Sequence, residues 1–142
     1  MGAPVCLEYR IEGNDYMEAG AASNNIKNTL KMLGIDSKIC RRAAVITYEA
    51  EMNLVIHAGG GMLKAVIYED KVELSAEDEG PGIPDKGKAM TEGFTTASDQ
   101  AREMGFGAGM GLPNIKKNSD DFELESEPGK GTKVRSVLYF TK

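Results

Sequence analysis

Four glycines stand at alternate positions in Gly105-Phe106-Gly107-Ala108-Gly109-Met110-Gly111-Leu112, and the run leads directly into a helical pattern. Glycine at that density weakens the interior of a helix or a strand, so it serves backbone geometry instead. Freed of Cβ atoms, the backbone can turn its N–H groups inward as an anion nest. The helix that follows adds the partial positive charge of its N-terminus. This is chemistry for phosphates. It is not a Walker loop, because Gly-x-x-x-x-Gly-Lys-Ser/Thr is absent. Nor is it a dinucleotide fingerprint, because no strand precedes it at βαβ spacing.

A second glycine cluster, Asp78-Glu79-Gly80-Pro81-Gly82, follows a segment that reads as a strand ending at Asp78. A strand-end aspartate can accept a hydrogen from a ligand lying close to the backbone, and the glycines remove side chains that would collide with it. The same residues also make a plain turn, and these five alone do not decide. Further upstream, Ile39, Ala43, Ile46, Ala50 and Leu54 form one apolar stripe at helical spacing. Glu49 and Asn53, four apart, lie as neighbours along its edge. Alone, that pair reads as structural. His57 falls inside the stripe and reads as a hydrogen-bonded histidine at the core rim.

The chain has 142 residues, enough for one domain with a real core. Hydrophobic residues make up 41% and charged residues 27%, the balance of a globular protein. The formal net charge of −5 argues against a sequence-independent nucleic-acid binder. With no tryptophan and 6% aromatics, the chain is also poor in side chains on which bases could stack. No apolar run approaches a bilayer span of roughly 20 residues, and the first ten residues lack the pattern of a signal peptide. Two cysteines, Cys6 and Cys40, read as reduced thiols of a cytoplasmic protein.

Periodicity predicts a first strand over 4–11 and a helix from an Asp15 N-cap to about Leu33, stopped by Gly34. Asp36 or Ser37 opens a longer helix to about Ala58, stopped by Gly59-Gly60-Gly61. A hairpin follows, with strands over 62–68 and 72–78. Residues 85–111 read as an irregular glycine-rich loop with one helical turn after Asp85. A loop of that length inside a compact domain is often a binding lid. A helix over 112–118 and two strands, 122–126 and 132–140, complete the order β-α-α-β-β-loop-α-β-β. The expected fold is a single α+β domain, a two-layer sandwich with helices on one face of a mixed, mostly antiparallel sheet.

The order of motifs then resembles a known family. Glu49-x-x-x-Asn53, Asp78-x-Gly80-x-Gly82 and Gly105-x-Gly107-x-Gly109-x-Gly111, with Gly129-Lys130-Gly131-Thr132 before the last strand, resemble the N, G1 and G2 boxes of the GHKL (Bergerat, HATPase_c) ATP-binding fold. Within that family, Glu49 to His57, Phe94-Thr95-Thr96 and Gly109 to Ser126 look most like the bacterial anti-sigma-factor serine kinases of the SpoIIAB, RsbW and RsbT group. Gly111-Leu112-Pro113 and Asp121 to Ser126 look nearest to the RsbT-type switch-protein kinases. Asn118-Ser119-Asp120 departs from that pattern in being more polar.

The resemblance implies the fold above and a set of roles. Glu49 would be the general base and Asn53 an oxygen ligand to Mg²⁺. Asp78 would accept from the adenine amino group of ATP, with Thr132 supporting it. Gly80, Gly82, Gly105, Gly107, Gly109, Gly111 and Leu112 would shape the nucleotide pocket, with Thr95 and Thr96 in a lid over about 85–111. The implied activity is transfer of phosphate from ATP to a serine or threonine of a STAS-domain antagonist. A sigma factor or a regulatory phosphatase would be a further partner, nucleic acid and membrane would not, and a homodimer is compatible. The alternative is a nucleotide-gated binding switch, or an ATP-binding accessory subunit, without catalysis.

Overall fold

The computed structural model describes residues 3–13, 17–56, 60–78, 111–127 and 131–140. Along the chain these form β1 (Val5–Glu12), α1 (Ala21–Met32), α2 (Ser37–Ile56), β2 (Gly60–Ile67), β3 (Lys71–Asp78), α3 (Gly111–Asn118), β4 (Asp121–Glu127) and β5 (Gly131–Tyr139). The strands make one sheet in the order β1-β2-β3-β5-β4, and every neighbouring pair is antiparallel. The helical turn expected after Asp85, and the lid apart from Gly111, lie outside the described residues.

Alternation along the strands decides which face is covered. Leu63, Ala65 and Ile67 of β2 lie in register with Ala76, Leu74 and Val72 of β3, and these continue to Val134, Ser136 and Leu138 of β5. These side chains share the buried face. On the opposite face Glu73 pairs with Arg135 at 2.7 Å, and Arg135 reaches Glu123 at 3.6 Å. Polar-out, apolar-in alternation of this kind marks an antiparallel sheet covered on one side.

Helix α2 covers the sheet, packing against β1, β2, β3 and β5, and both α1 and α3 pack against α2. Its stripe of Ile39, Ala43, Ile46, Ala50 and Leu54 is buried, as its spacing predicts. Asp36 opens the helix: its carboxylate accepts from the Lys38 backbone N–H at 3.1 Å and its carbonyl from that of Cys40 at 3.0 Å.

Helix α1 begins later than its sequence suggests. It starts at Ala21, after Gly20 with φ 98°, and no side chain of its own first turn caps it. The Asp15 assigned as N-cap lies outside the described residues. The acceptor comes instead from α2: the Glu51 carboxylate receives the backbone N–H of Gly20 and that of Ser23, each at 3.0 Å. A helix start leaves several N–H groups without partners, and here a distant residue supplies what a local cap normally does. At the other end Gly34, with φ 80°, stops α1 where expected.

The polar run Asn118-Ser119-Asp120 closes α3. Asn118 Nδ2 donates to the Asn114 carbonyl at 2.9 Å, and Ser119 Oγ donates to the Ile115 carbonyl at 2.6 Å. Asp120 accepts from Arg42 Nη2 at 2.9 Å and from the Tyr139 backbone N–H at 2.9 Å, while Arg42 Nε donates to the Asn118 carbonyl at 3.0 Å. Arg42 therefore ties the C-terminal end of α3 to α2, and Asp120 ties it to β5.

Candidate nucleotide site

The two edges of the α2 stripe do different things. Glu51 on one edge reaches α1. Glu49 on the other edge faces α3, where Asn114 Nδ2 donates to Glu49 Oε2 at 3.1 Å. One turn along α2, Asn53 faces the first residue of α3. A Cβ built on Gly111 would stand 3.1 Å from Asn53 Oδ1 and 3.5 Å from Asn53 Nδ2. Real Cβ atoms rarely come so close to a neighbour, so glycine at 111 gives the Asn53 amide its room. Glu49 and Asn53 are both half-buried. Leu112 packs against the hydrophobic core and anchors the opening turn of α3. No acidic residue stands in that first turn, so the partial positive charge of the helix N-terminus is not neutralised from within.

The end of the sheet holds a second group. Along the covered face, the apolar rows give way to a polar one: Asp78 of β3 pairs with Thr132 of β5, which pairs with Ser126 of β4. The hydroxyls of Ser126 and Thr132 lie 2.9 Å apart in a hydrogen bond. Beside this row Gly61 has no side chain to spare. A Cβ there would overlap the Glu77 carbonyl oxygen and stand 2.9 Å from Leu54 Cδ2 and 3.2 Å from Asp78 Cα. Leu54 follows Asn53 in the chain, so this contact brings the C-terminal end of α2 to the end of β3.

The structure thus gathers Glu49, Asn53, Gly111 and Leu112 at the α2–α3 contact, and Asp78 and Thr132 in one row at the sheet end. Gly80, Gly82, Thr95, Thr96, Gly105, Gly107 and Gly109, like His57, lie outside the described residues. Sequence reasoning missed Asn114, Gly61 and Ser126. The available signals were slight: an asparagine in a short helix, where it is a weak helix former, and the third glycine of a run already explained as a helix stop.

The donors at the α2–α3 contact are hard oxygens, a carboxylate and an amide carbonyl. Among the described residues no group of three or more His, Cys, Asp or Glu could hold a metal ion. A caged metal is therefore not what these residues offer. Magnesium needs less from the protein, since it keeps waters and takes its other ligands from phosphates. One amide oxygen, kept uncrowded by Gly111, fits that requirement.

Comparison with known proteins finds relatives in sequence and in fold. The profile of the histidine kinase-, DNA gyrase B- and HSP90-like ATPases matches residues 37–142. The serine/threonine-protein kinase RsbT of Bacillus subtilis is 33% identical over 117 residues, which span 80% of this chain and 82% of RsbT. The anti-sigma F factor of Caldanaerobacter subterraneus is 41% identical over 96 residues, 64% of each chain; the match thus spans less than two-thirds of that relative. Among solved structures, the SiaB-SiaC complex of Pseudomonas aeruginosa contains a chain that superposes with TM-score 0.60 at 12% identity, covering 93% of this chain and 88% of that one. The mycobacterial sensor histidine kinase MprB superposes with TM-score 0.53 at 16% identity, covering 95% and 97%. With five antiparallel strands under α2, a family match over residues 37–142 and a relative 33% identical across most of its length, the chain belongs to the histidine kinase-, gyrase B- and HSP90-like ATPase family.

Proposed function

We propose that this protein is an ATP-dependent serine/threonine kinase of a partner-switching module, acting on a STAS-domain antagonist. The observation that carries the reading is the placement of a carboxylate, Glu49, and an amide, Asn53, one turn apart on α2 and both against the opening turn of α3. The family membership supports ATP as the phosphate donor, and the names of the relatives RsbT and anti-sigma F factor support a protein acceptor.

Asp78 accepts from the adenine amino group, with Thr132 and Ser126 completing its polar row. Gly80, Gly82, Gly105, Gly107, Gly109 and Gly111 let the backbone approach the nucleotide, and Thr95 and Thr96 belong to the lid. Asn53 would hold Mg²⁺, which when bound neutralises charge on the phosphates. The acceptor hydroxyl oxygen bonds to the γ-phosphorus as the bond to the β–γ bridging oxygen breaks and ADP leaves with that electron pair. Glu49 takes the hydroxyl proton and later releases it to solvent. Most of the catalysis in such a transfer is positioning and electrostatics, which a small domain can supply. Among the described residues no helix is long and apolar enough to cross a membrane, and the proposed place of action is the cytoplasm.

The test is incubation with γ-labelled ATP and the STAS-domain proteins of the same genome. Acid-stable label on one of them, reduced by about 10²–10⁴-fold in Glu49→Gln, is the expected result for loss of a general base. ADP affinity should hardly change. Nucleotide-dependent binding of a STAS protein with no transfer would overturn the kinase reading in favour of a binding switch.

A further inference from the structure

Glu49 is not left to find its own orientation. Its Oε2 receives the side-chain N–H of Asn114 at 3.1 Å, from a helix 65 residues away in sequence. A glutamate has three side-chain torsions, and holding it still costs rotamer entropy when nothing else fixes it. A hydrogen bond to one carboxylate oxygen fixes the plane of the group and leaves the other oxygen to work. Asn114 suits this task chemically. Its amide donates and, being neutral, neither competes for the proton nor repels the carboxylate.

The position of Asn114 is as informative as its bond. Gly111 and Asn114 are three apart on α3, and Asn53 and Glu49 are four apart on α2. Gly111 meets Asn53, and Asn114 meets Glu49. A single turn of α3 therefore touches both members of the pair at matched helical spacing. That same turn is where the glycine-rich run ends and the helix begins. At its far end α3 is tied to α2 by Arg42 and to β5 by Asp120. The helix is thus tied at its C-terminal end and meets the proposed base and metal ligand with its opening turn.

We infer that Asn114 is a positioning residue that holds Glu49 in line for proton abstraction, so that α3, the helix opening at the last glycine, sets the base. The inference rests on the assignment of Glu49 as base. Asn114 is not required for nucleotide binding. Asn114→Ala removes the donor, and Asn114→Asp keeps the shape but places a second carboxylate beside Glu49.

The experiment measures initial transfer rate at saturating labelled ATP to the STAS-domain acceptor, together with calorimetric ADP affinity, for the wild type, both Asn114 variants, Glu49→Gln and the double variant Glu49→Gln/Asn114→Ala. The expected result is a rate lower by about 10- to 100-fold in Asn114→Ala, the scale of a lost hydrogen bond to a charged group. Asn114→Asp should be slower still. ADP affinity should stay within about twofold, and the double variant should be no slower than Glu49→Gln, since two residues acting as a unit are not additive. Wild-type rates in Asn114→Ala, a loss that multiplies with that of Glu49→Gln, or a parallel loss of ADP affinity would each overturn the inference and leave the base intact. Wild-type rates in Glu49→Gln would overturn the assignment of the base itself. Thermal unfolding of Asn114→Asp provides the folding control, and an unfolded isostere would show that the bond is structural, overturning the inference.

Discussion

Glu51, 1% exposed on α2, caps the start of α1 by receiving the backbone N–H of Ser23 at 3.0 Å and that of Gly20 at the same distance. Two glutamates two positions apart on one helix thus face opposite flanks with opposite duties: Glu51 holds a fold, and Glu49 meets α3. Glu51→Ala leaves two backbone donors without an acceptor in a buried place. The expected loss is about 2–4 kcal/mol of unfolding free energy, combining a lost helix cap with an unsatisfied buried donor. Urea denaturation of the two variants separates the duties: Glu51→Ala should shift the midpoint sharply, and Glu49→Gln should leave it nearly unchanged.

Asn53 presents a neutral oxygen beside Gly111. Asn53→Ala should weaken ADP binding strongly in buffer with Mg²⁺ and little in EDTA, because only the metal-linked part of the affinity depends on that oxygen. Calorimetry in the two buffers checks this. Equal losses in both would remove Asn53 from the metal.

Asp78 closes β3 opposite Thr132. An ionised carboxylate only accepts, so it suits the amino group of adenine, while guanine presents a carbonyl there. Two acceptors facing each other forgo a hydrogen bond, at a cost of about 1–3 kcal/mol. ATP should bind at least about tenfold more tightly than GTP, since about 1.4 kcal/mol corresponds to that ratio. Competitive titration decides, and equal affinities would take Asp78 out of the base pocket.

The two thiols differ in environment. Cys6 is exposed and Cys40 buried, and burial pushes the Cys40 thiol above its ordinary value. A raised value keeps Cys40 protonated at mildly alkaline pH, so the thiolate that reacts is scarce there. The sign for stability follows: the contribution is complete below the thiol's unfolded value and is lost as pH rises through the higher folded one. Iodoacetamide at about pH 8, near the free thiol value, should label Cys6 alone in the native protein and both cysteines in urea. Mass spectrometry reads the stoichiometry, and fast native labelling of Cys40 would contradict its burial.

What the amino-acid sequence determined by itself is whatever its short-range pattern carries. The stripe from Ile39 to Leu54 marked α2, and alternation marked the hairpin of β2 and β3 and the final pair β4 and β5. Asp36 and Gly34 marked a start and a stop because their work is done within a few residues. Glu49 and Asn53 were legible as neighbours for the same reason, being four apart on one helix. The tertiary structure alone decided where α1 begins, because its cap lies 31 residues from Gly20. It alone joined Asn114 to Glu49 across 65 residues, set Gly111 against the Asn53 amide and assembled Asp78, Thr132 and Ser126 into one row. Periodicity reports which face of an element is buried; it holds no record of which distant side chain will arrive there, since that depends on how packed helices and paired strands close around a shared core.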